Sequence, residues 1–218
     1  PRGAIIMVTE KGLAKDPELA QKIDKALFPG VQGGPHMENV AALAVALAEA
    51  EKPEFKSYAA QVVKNAGVLA EELKNRGFKL MSGGTWNHMV WIDLSDELID
   101  GWTLAWGLEY AGIIANRQTV PTEKRSAYYP SGLRIGTPAV TTRGMKEAEM
   151  KQIAVWISLA KDIIEKSVKN KYQNIGSKNK EEDQMARKAF KLEMKNNKEL
   201  LKIGLEVKEL CRKFPIPV

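Results

Sequence analysis

The residue with the clearest chemical potential is an arginine in a strand-like segment. Arg134 alternates with Leu133 and Ile135 in SGLRIGTP, the period-two pattern of a β-strand with one apolar face. Its guanidinium is a planar fork of donors that suits a carboxylate or a phosphate. The flanking Gly132 and Gly136 would let a small ligand approach the backbone. Spacing alone fits ligand binding and an ion pair with a structural Asp or Glu equally well.

A second candidate is the glycine-rich segment PGVQGGP, residues 29–35. Glycines leave backbone N–H groups free to approach an anion closely, so Gly33 and Gly34 could face a phosphate. The segment lacks the lysine and hydroxyl of a P-loop and does not read G-x-G-x-x-G. A plain loop between two helices explains the same spacing.

Metal and hydrolase chemistry find little support in the sequence. His36 and His88 are the only histidines, and neither stands in a metal-ligand pattern, so we expect no metal site. No G-x-S-x-G elbow is present. Cys211 is the only cysteine, which excludes an internal disulfide framework and favours a reducing, cytoplasmic compartment.

Apolar periodicity predicts the elements that position these residues. Asp16 and Pro17 are expected to begin the first helix. Strands are predicted at 4–9, 78–82, 89–94, 113–116 and 132–136, helices at 17–27, 37–51, 54–75, 101–111 and 147–167, and one or two basic helices after 183.

This order of elements predicts an α/β chain. Residues 1–53 read as the end of one α/β layer structure, and residues 54–76 as a long connecting helix. Residues 77–168 read as a smaller α+β domain, and 169–218 as a basic helical tail with a terminal helix. The longest apolar run, 40–48, is far below the roughly 20 residues of a membrane span, so no membrane contact is expected.

The tail holds the whole positive surplus of the chain. Residues 166–213 contain 14 Lys and Arg against 7 Asp and Glu, whereas the net charge of the chain is +6. Apolar residues recur there at three- and four-residue steps, which is typical of a solvated amphipathic helix. The alternative is a basic face that binds nucleic acid or an anionic membrane. Nucleic acid is disfavoured because few aromatic side chains are available to stack on bases.

Several long motifs, in order, give the sequence a family resemblance. It resembles the C-terminal portion of serine hydroxymethyltransferase over residues 1–168 and again over the last dozen residues, whereas 169–200 matches nothing in the family pattern. The matching stretches are PRGAII (1–6), FPGVQGGPHM (28–37), PEFKSYAAQVVKNA (53–66), SGGTWNHMVWIDL (82–94), NRQTVP (116–121), SGLRIGTPAVTTRG (131–144) and VKELCRKFPIPV (207–218).

The resemblance implies an enzyme that depends on pyridoxal 5'-phosphate and has the aspartate-aminotransferase-like fold (type I). This chain would be the end of its large domain plus the small α+β domain. The implied reaction interconverts serine and glycine, with one-carbon transfer to tetrahydrofolate or a related pterin. The implied assembly is an obligate homodimer or tetramer with shared active sites.

The resemblance also assigns residues. Arg134 matches the arginine that binds the α-carboxylate of serine or glycine. Gly33 and Gly34 match a loop that reaches across the dimer interface to the cofactor phosphate. Arg2 matches an arginine close to the cofactor. The Schiff-base lysine of the family falls before residue 1, so we expect no catalytic residue in this chain and no activity from it alone. Lys11 and Lys15 are not substitutes, because they stand in a charged, solvated segment.

The folate site shows one departure from the family pattern. Asn116 and Gln118 lie in the stretch that matches the folate-contacting loop, but the family usually has Asn where Gln118 stands. The additional methylene puts pterin affinity and the identity of the carrier, including a methanopterin, in question. A second departure is Glu38, where the family commonly has histidine.

Two other functions remain open from the sequence. One is an enzyme of the same fold that needs no folate, such as a threonine aldolase-like enzyme. The other is a non-catalytic RNA-binding domain that uses the basic tail. Dependence of serine turnover on a tetrahydropterin separates the first from our main hypothesis, and salt-sensitive RNA binding identifies the second.

Overall fold

The computed structural model describes residues 3–217. The chain divides into two units, Pro1–Ser57 and Tyr58–Val218. The division lies near the start of one long helix, α4, Pro53–Asn75. No helix in the described part of the chain is both long and apolar enough to cross a bilayer.

The first unit is helical. It contains α1 (Glu10–Lys15), α2 (Leu19–Lys25), an irregular turn over Ala26–Val31, α3 (Met37–Ala50) and the first turn of α4. The Thr9 side chain caps α1 by accepting from the Gly12 N–H. Asp16 was expected to cap a helix from 17; its carboxylate instead accepts from the Glu18 N–H at 3.1 Å, and α2 begins at Leu19.

The prediction of a buried strand at 4–9 is wrong. These residues are irregular, and Ile6 and Met7 are 63% and 83% exposed. A strand needs a hydrogen-bonded neighbour to satisfy its backbone. No described residue of the first unit forms a strand, so residues 4–9 have no partner strand there, and the apolar run alone does not make a strand.

The second unit combines helices with one small sheet. After α4 come β1 (Met89–Asp93), α5 (Gly101–Tyr110), β2 (Asn116–Gln118), β3 (Gly132–Gly136), α6 (Pro138–Thr142), α7 (Glu147–Lys171), α8 (Lys180–Lys195) and α9 (Lys198–Lys213). The sheet order is β1-β3-β2, and both pairings are antiparallel. The described chain is therefore mostly helical with a small antiparallel sheet.

Two predicted strands of this unit differ from the structure. Residues 78–82 form only an isolated bridge, Leu80 to Ile92, followed by a short turn in which Ser82 has a φ of 58°. The strand predicted at 113–116 begins only at Asn116. Asn116 lies opposite Arg134, and the two residues before it, Ala115 and Ile114, do not pair although β3 continues to Gly136.

The core of the second unit lies on one face of the sheet. The strand residues that point to this face are buried, namely Val90, Ile92, Leu133 and Ile135. Helices α4, α5 and α7 add their apolar sides to the same cluster. The basic tail joins it too, through Phe190 and Met194 of α8 and Leu200 and Ile203 of α9. The apolar stripe of the tail therefore packs against the unit.

A buried arginine fixes α8 in place. The Arg187 Nη2 donates to Asp100 Oδ2 at 2.7 Å, and its Nε donates to Asp183 Oδ1 at 2.9 Å. The guanidinium carbon lies 3.6 Å from the centre of the Tyr129 ring. Asp100 also caps α5 by accepting from the Thr103 N–H. Both carboxylates offset the cost of burying the guanidinium, and the ion pair with Asp100 joins α8 to the start of α5.

Candidate functional site

Arg134 lies on the outer face of the sheet. Its neighbours in β3, Leu133 and Ile135, are buried against the core, whereas the Arg134 side chain is exposed. Within residues 3–217 the guanidinium makes no hydrogen bond and no ion pair. The alternative of a structural ion pair therefore has no partner in the described chain. All five N–H donors remain available to a ligand.

The strand register brings the predicted site residues together. Asn116 lies directly opposite Arg134, and Gln118 lies opposite Gly132, two residues further along the same face. Side chains at a spacing of two point to the same side of a sheet. Arg134, Asn116 and Gln118 therefore share the outer face, where one cation stands beside two amides.

Trp91 is a further residue of this face. It lies opposite Arg134 on the other neighbouring strand, β1. A Cβ added to Gly132 would come within 2.7 Å of the Trp91 Nε1 and 2.3 Å of the Gln118 carbonyl oxygen. Position 132 is therefore glycine because the indole and the β2 backbone fill the space. The indole N–H is buried and has no hydrogen-bond partner among residues 3–217. Trp91 was not predicted from the sequence as a residue of this face, although the alternation in MVWID places it on the same side as Met89 and Asp93, away from the core.

The loop 119–131 connects the two site strands and is held by Glu123. Its Oε2 accepts from the Ser131 N–H at 2.7 Å, and its Oε1 accepts from the Ser131 hydroxyl at 2.7 Å and the Arg125 N–H at 2.8 Å. Burial raises the pKa of the Glu123 carboxyl, but these hydrogen bonds outweigh burial, so the pKa lies below its ordinary value. The carboxylate is therefore charged at neutral pH.

The start of α6 fixes the other end of β3. Thr137 follows β3, and its hydroxyl donates to the Val62 carbonyl of α4 at 2.8 Å. Asn65 is fully buried one turn later, and its Nδ2 donates to the Thr141 hydroxyl and the Met145 carbonyl, each at 2.9 Å. The arginine strand is thus tied to α4 by buried hydrogen bonds.

Gly33 and Gly34 lie in an exposed loop of the first unit. A Cβ added to either would meet nothing within 4 Å. Their backbone N–H groups donate to no acceptor in the described chain. Free N–H donors with open space around them suit an anion such as a phosphate group. Arg2, the other predicted cofactor contact, lies outside the described residues.

Four other residues discussed above, Lys11, Lys15, His36 and Glu38, lie in the first unit. Lys11 and Lys15 are exposed on α1. The His36 Nδ1 lies 3.4 Å from the Glu38 Oε1, at the start of α3. Among residues 3–217, no group of three or more His, Cys, Asp or Glu side chains could hold a metal ion.

Comparison with known proteins gives one consistent result. The family model described as serine hydroxymethyltransferase matches residues 1–157. The chain is 54% identical over 157 residues to serine hydroxymethyltransferase of Acidothermus cellulolyticus, covering 72% of this chain and 35% of that protein. It is 41% identical over 217 residues to that of Sorangium cellulosum, covering 100% of this chain and 43% of that protein.

The two relatives differ in how far the match extends. The chain spans 35–43% of the length of these proteins. The match with the Sorangium cellulosum protein runs through residues 169–200, the segment for which the family pattern offered no counterpart. The basic tail is therefore shared with a relative.

Proposed function

The chain belongs to the serine hydroxymethyltransferase family, and from this premise we propose that it is part of an enzyme that interconverts serine and glycine. The one-carbon group would pass to tetrahydrofolate or a related pterin. The observation that carries the proposal is the exposed guanidinium of Arg134, which has no partner in the described part of the chain and lies next to Asn116 on the outer face of the sheet.

Arg134 binds the amino acid in this proposal. Two parallel N–H donors of the guanidinium engage both oxygens of the α-carboxylate. Because β3 is anchored at both ends, the arginine holds the carboxylate in a fixed orientation relative to the reacting carbon. Because the carboxylate is already oriented in the complex, less entropy is lost in the reaction step itself.

Gly33 and Gly34 hold the cofactor phosphate in this proposal. Their free N–H groups would donate to the phosphate oxygens of pyridoxal 5'-phosphate. The cofactor, once bound, supplies an electron sink for the amino acid.

We further propose that the chain is the end of the large domain (1–53), the connecting helix (54–76) and the small domain (77–168) of a type I fold. We also propose that the enzyme is cytoplasmic and is a homodimer or tetramer that shares its active sites.

The amides on the sheet face would bind the pterin. Gln118 and Asn116 each offer a donor and an acceptor, which suits the mixed pattern of a pterin ring. Arg134 stands beside both amides, so the amino acid and the one-carbon carrier would meet on the same face.

A turnover assay tests the proposed function. The full-length enzyme, loaded with pyridoxal 5'-phosphate, should form glycine from serine, and the rate should depend on added tetrahydrofolate. A rate of serine cleavage that does not change when tetrahydrofolate is added would favour the aldolase-like alternative. Turnover with a methanopterin but not with tetrahydrofolate would assign the carrier and would link the difference to Gln118.

A further inference from the structure

The ends of the loop between the two site strands meet at one carboxylate. Glu123 accepts from the N–H of Val120 at 3.3 Å and from the N–H of Ser131 at 2.7 Å. Val120 lies two residues after Gln118, the last residue of β2, and Ser131 immediately precedes β3. A single side chain therefore closes the loop at the points where it leaves and rejoins the sheet.

Arg125, a residue of the same loop, holds the end of β1. Its Nη1 donates to the Leu94 carbonyl at 2.9 Å, and its Nη2 donates to the Glu97 carbonyl at 2.8 Å. Leu94 follows β1, and its N–H donates to the Ser131 carbonyl at 2.8 Å. The Arg125 N–H in turn donates to Glu123. All three strands are thus tied together at one end of the sheet.

This arrangement controls the register on which the proposed site depends. Arg134 faces Asn116 only because β2 and β3 are aligned as they are. A slip of one residue would turn every side chain of the moved strand to the opposite face. β2 is only three residues long, so its own ladder gives it little resistance to such a slip.

We propose that Glu123 is a positioning residue that holds the amino-acid-binding Arg134 and the pterin-binding Gln118 in one register. This inference rests on the proposed function, and it assigns Glu123 no contact with either substrate. Glu123 acts on both sites because its hydrogen bonds reach the end of one site strand and the start of the other.

The test uses Glu123→Gln in the full-length enzyme with pyridoxal 5'-phosphate. A glutamine keeps one acceptor oxygen and presents an NH2 group where the carboxylate accepted, so it retains at most part of the hydrogen bonds. The KM values for serine and for tetrahydrofolate should both rise by about tenfold, whereas kcat should fall by less than about threefold. Ser131→Ala removes only the hydroxyl contact and should give a smaller change of the same kind.

The matched control is Glu109→Gln, because Glu109 is an exposed glutamate on α5 and the charge change is identical. Its KM values should equal those of the wild type. Hydrogen exchange supplies a readout that is independent of activity. The amides of Arg125 and Ser131 should exchange faster in Glu123→Gln than in the control, while those of α7 stay unchanged.

Two results would overturn the role of Glu123. One is a pair of KM values within twofold of the wild type in both Glu123→Gln and Ser131→Ala. The other is a fall in kcat that only follows the folded fraction, with both KM values unchanged. If the wild-type enzyme does not turn over serine, the proposed function fails instead. Unchanged exchange at Arg125 and Ser131 in Glu123→Gln would then refute the loop closure itself.

Discussion

Arg134 and Asn116 lie directly opposite each other on the antiparallel strands β3 and β2. A cation and an amide therefore stand side by side on the outer face of the sheet, while Leu133 and Ile135 fill the core behind them. The proposed site uses this pairing to place the amino acid next to the one-carbon carrier.

Replacement of Gln118 with alanine should weaken pterin binding alone. One or two hydrogen bonds of about 0.5–1.5 kcal/mol each would be lost, so the KM for the pterin should rise by about tenfold. The KM for serine should stay within twofold of the wild type, because Gln118 lies opposite Gly132 and not opposite Arg134. Steady-state kinetics with both substrates measures this. Gln152→Ala on the exposed side of α7 is the control, and equal KM changes for both substrates would contradict the assignment.

Replacement of Asn65 with alanine should destabilise the chain. The buried Asn65 amide donates to the Thr141 hydroxyl and the Met145 carbonyl, and its removal leaves the carbonyl unpaired in the core. The expected loss is about 1–3 kcal/mol in the free energy of unfolding, measured by urea titration with an unchanged m-value. Asn170→Ala, at an exposed position of α7, should change the free energy little. Equal stability of the two variants would refute the role of Asn65.

Two glycine-to-alanine variants should change stability in opposite directions. A Cβ at Gly107 of α5 would lie 2.2 Å from the Ile164 Cδ1, so Gly107→Ala should cost about 1–3 kcal/mol through overpacking. A Cβ at Gly67 of α4 meets nothing within 4 Å, so Gly67→Ala should stabilise by about 0.5–1 kcal/mol. Thermal unfolding of both variants tests the contrast. The cost of Gly107→Ala should be smaller when it is measured in an Ile164→Ala background, because the side chain that the added Cβ would meet is then absent.

Alkaline conditions should destabilise the attachment of α8. Burial, together with a hydrogen bond from the Tyr172 hydroxyl to the Glu193 Oε2 at 2.8 Å, raises the pKa of Tyr172 to about 12. Because the folded pKa is raised above the ordinary value of 10.0, the stabilisation is complete below pH 10 and is lost as the pH rises towards 12. Tyr172→Phe should therefore show a shallower loss of stability over that window. Tyr128→Phe, at an exposed position, is the control, and parallel curves for all three proteins would contradict the prediction.

The sequence predicted the arginine strand well because local pattern and tertiary structure agree there. The alternation over 132–136 placed Leu133 and Ile135 in the core and Arg134 outside, as the structure shows. The apolar run at 4–9 carried a similar signal but forms no strand, since pairing depends on a neighbour that the run itself does not encode.

The loop residues could not be predicted from one sequence. Glu123 and Arg125 stand in a polar stretch where charged residues are ordinary, and their partners include Leu94 and Glu97, distant in sequence. Only the register of the three strands brings these groups together. Likewise, β2 is limited to the three residues that pair with β3, Asn116–Gln118, and the run of apolar residues before Asn116 gave a boundary that is too early.

Glycine affinity in the Arg134→Lys variant is the most direct test of the central claim. The full-length enzyme, loaded with pyridoxal 5'-phosphate, is titrated with glycine, with Arg212→Lys at an exposed position of α9 as the control. An ammonium cannot reproduce the two parallel donors of the guanidinium, so the Kd for glycine should rise by about 10- to 100-fold in Arg134→Lys and stay unchanged in the control. A Kd within twofold of the wild type in Arg134→Lys would contradict the assignment of Arg134 as the carboxylate-binding residue.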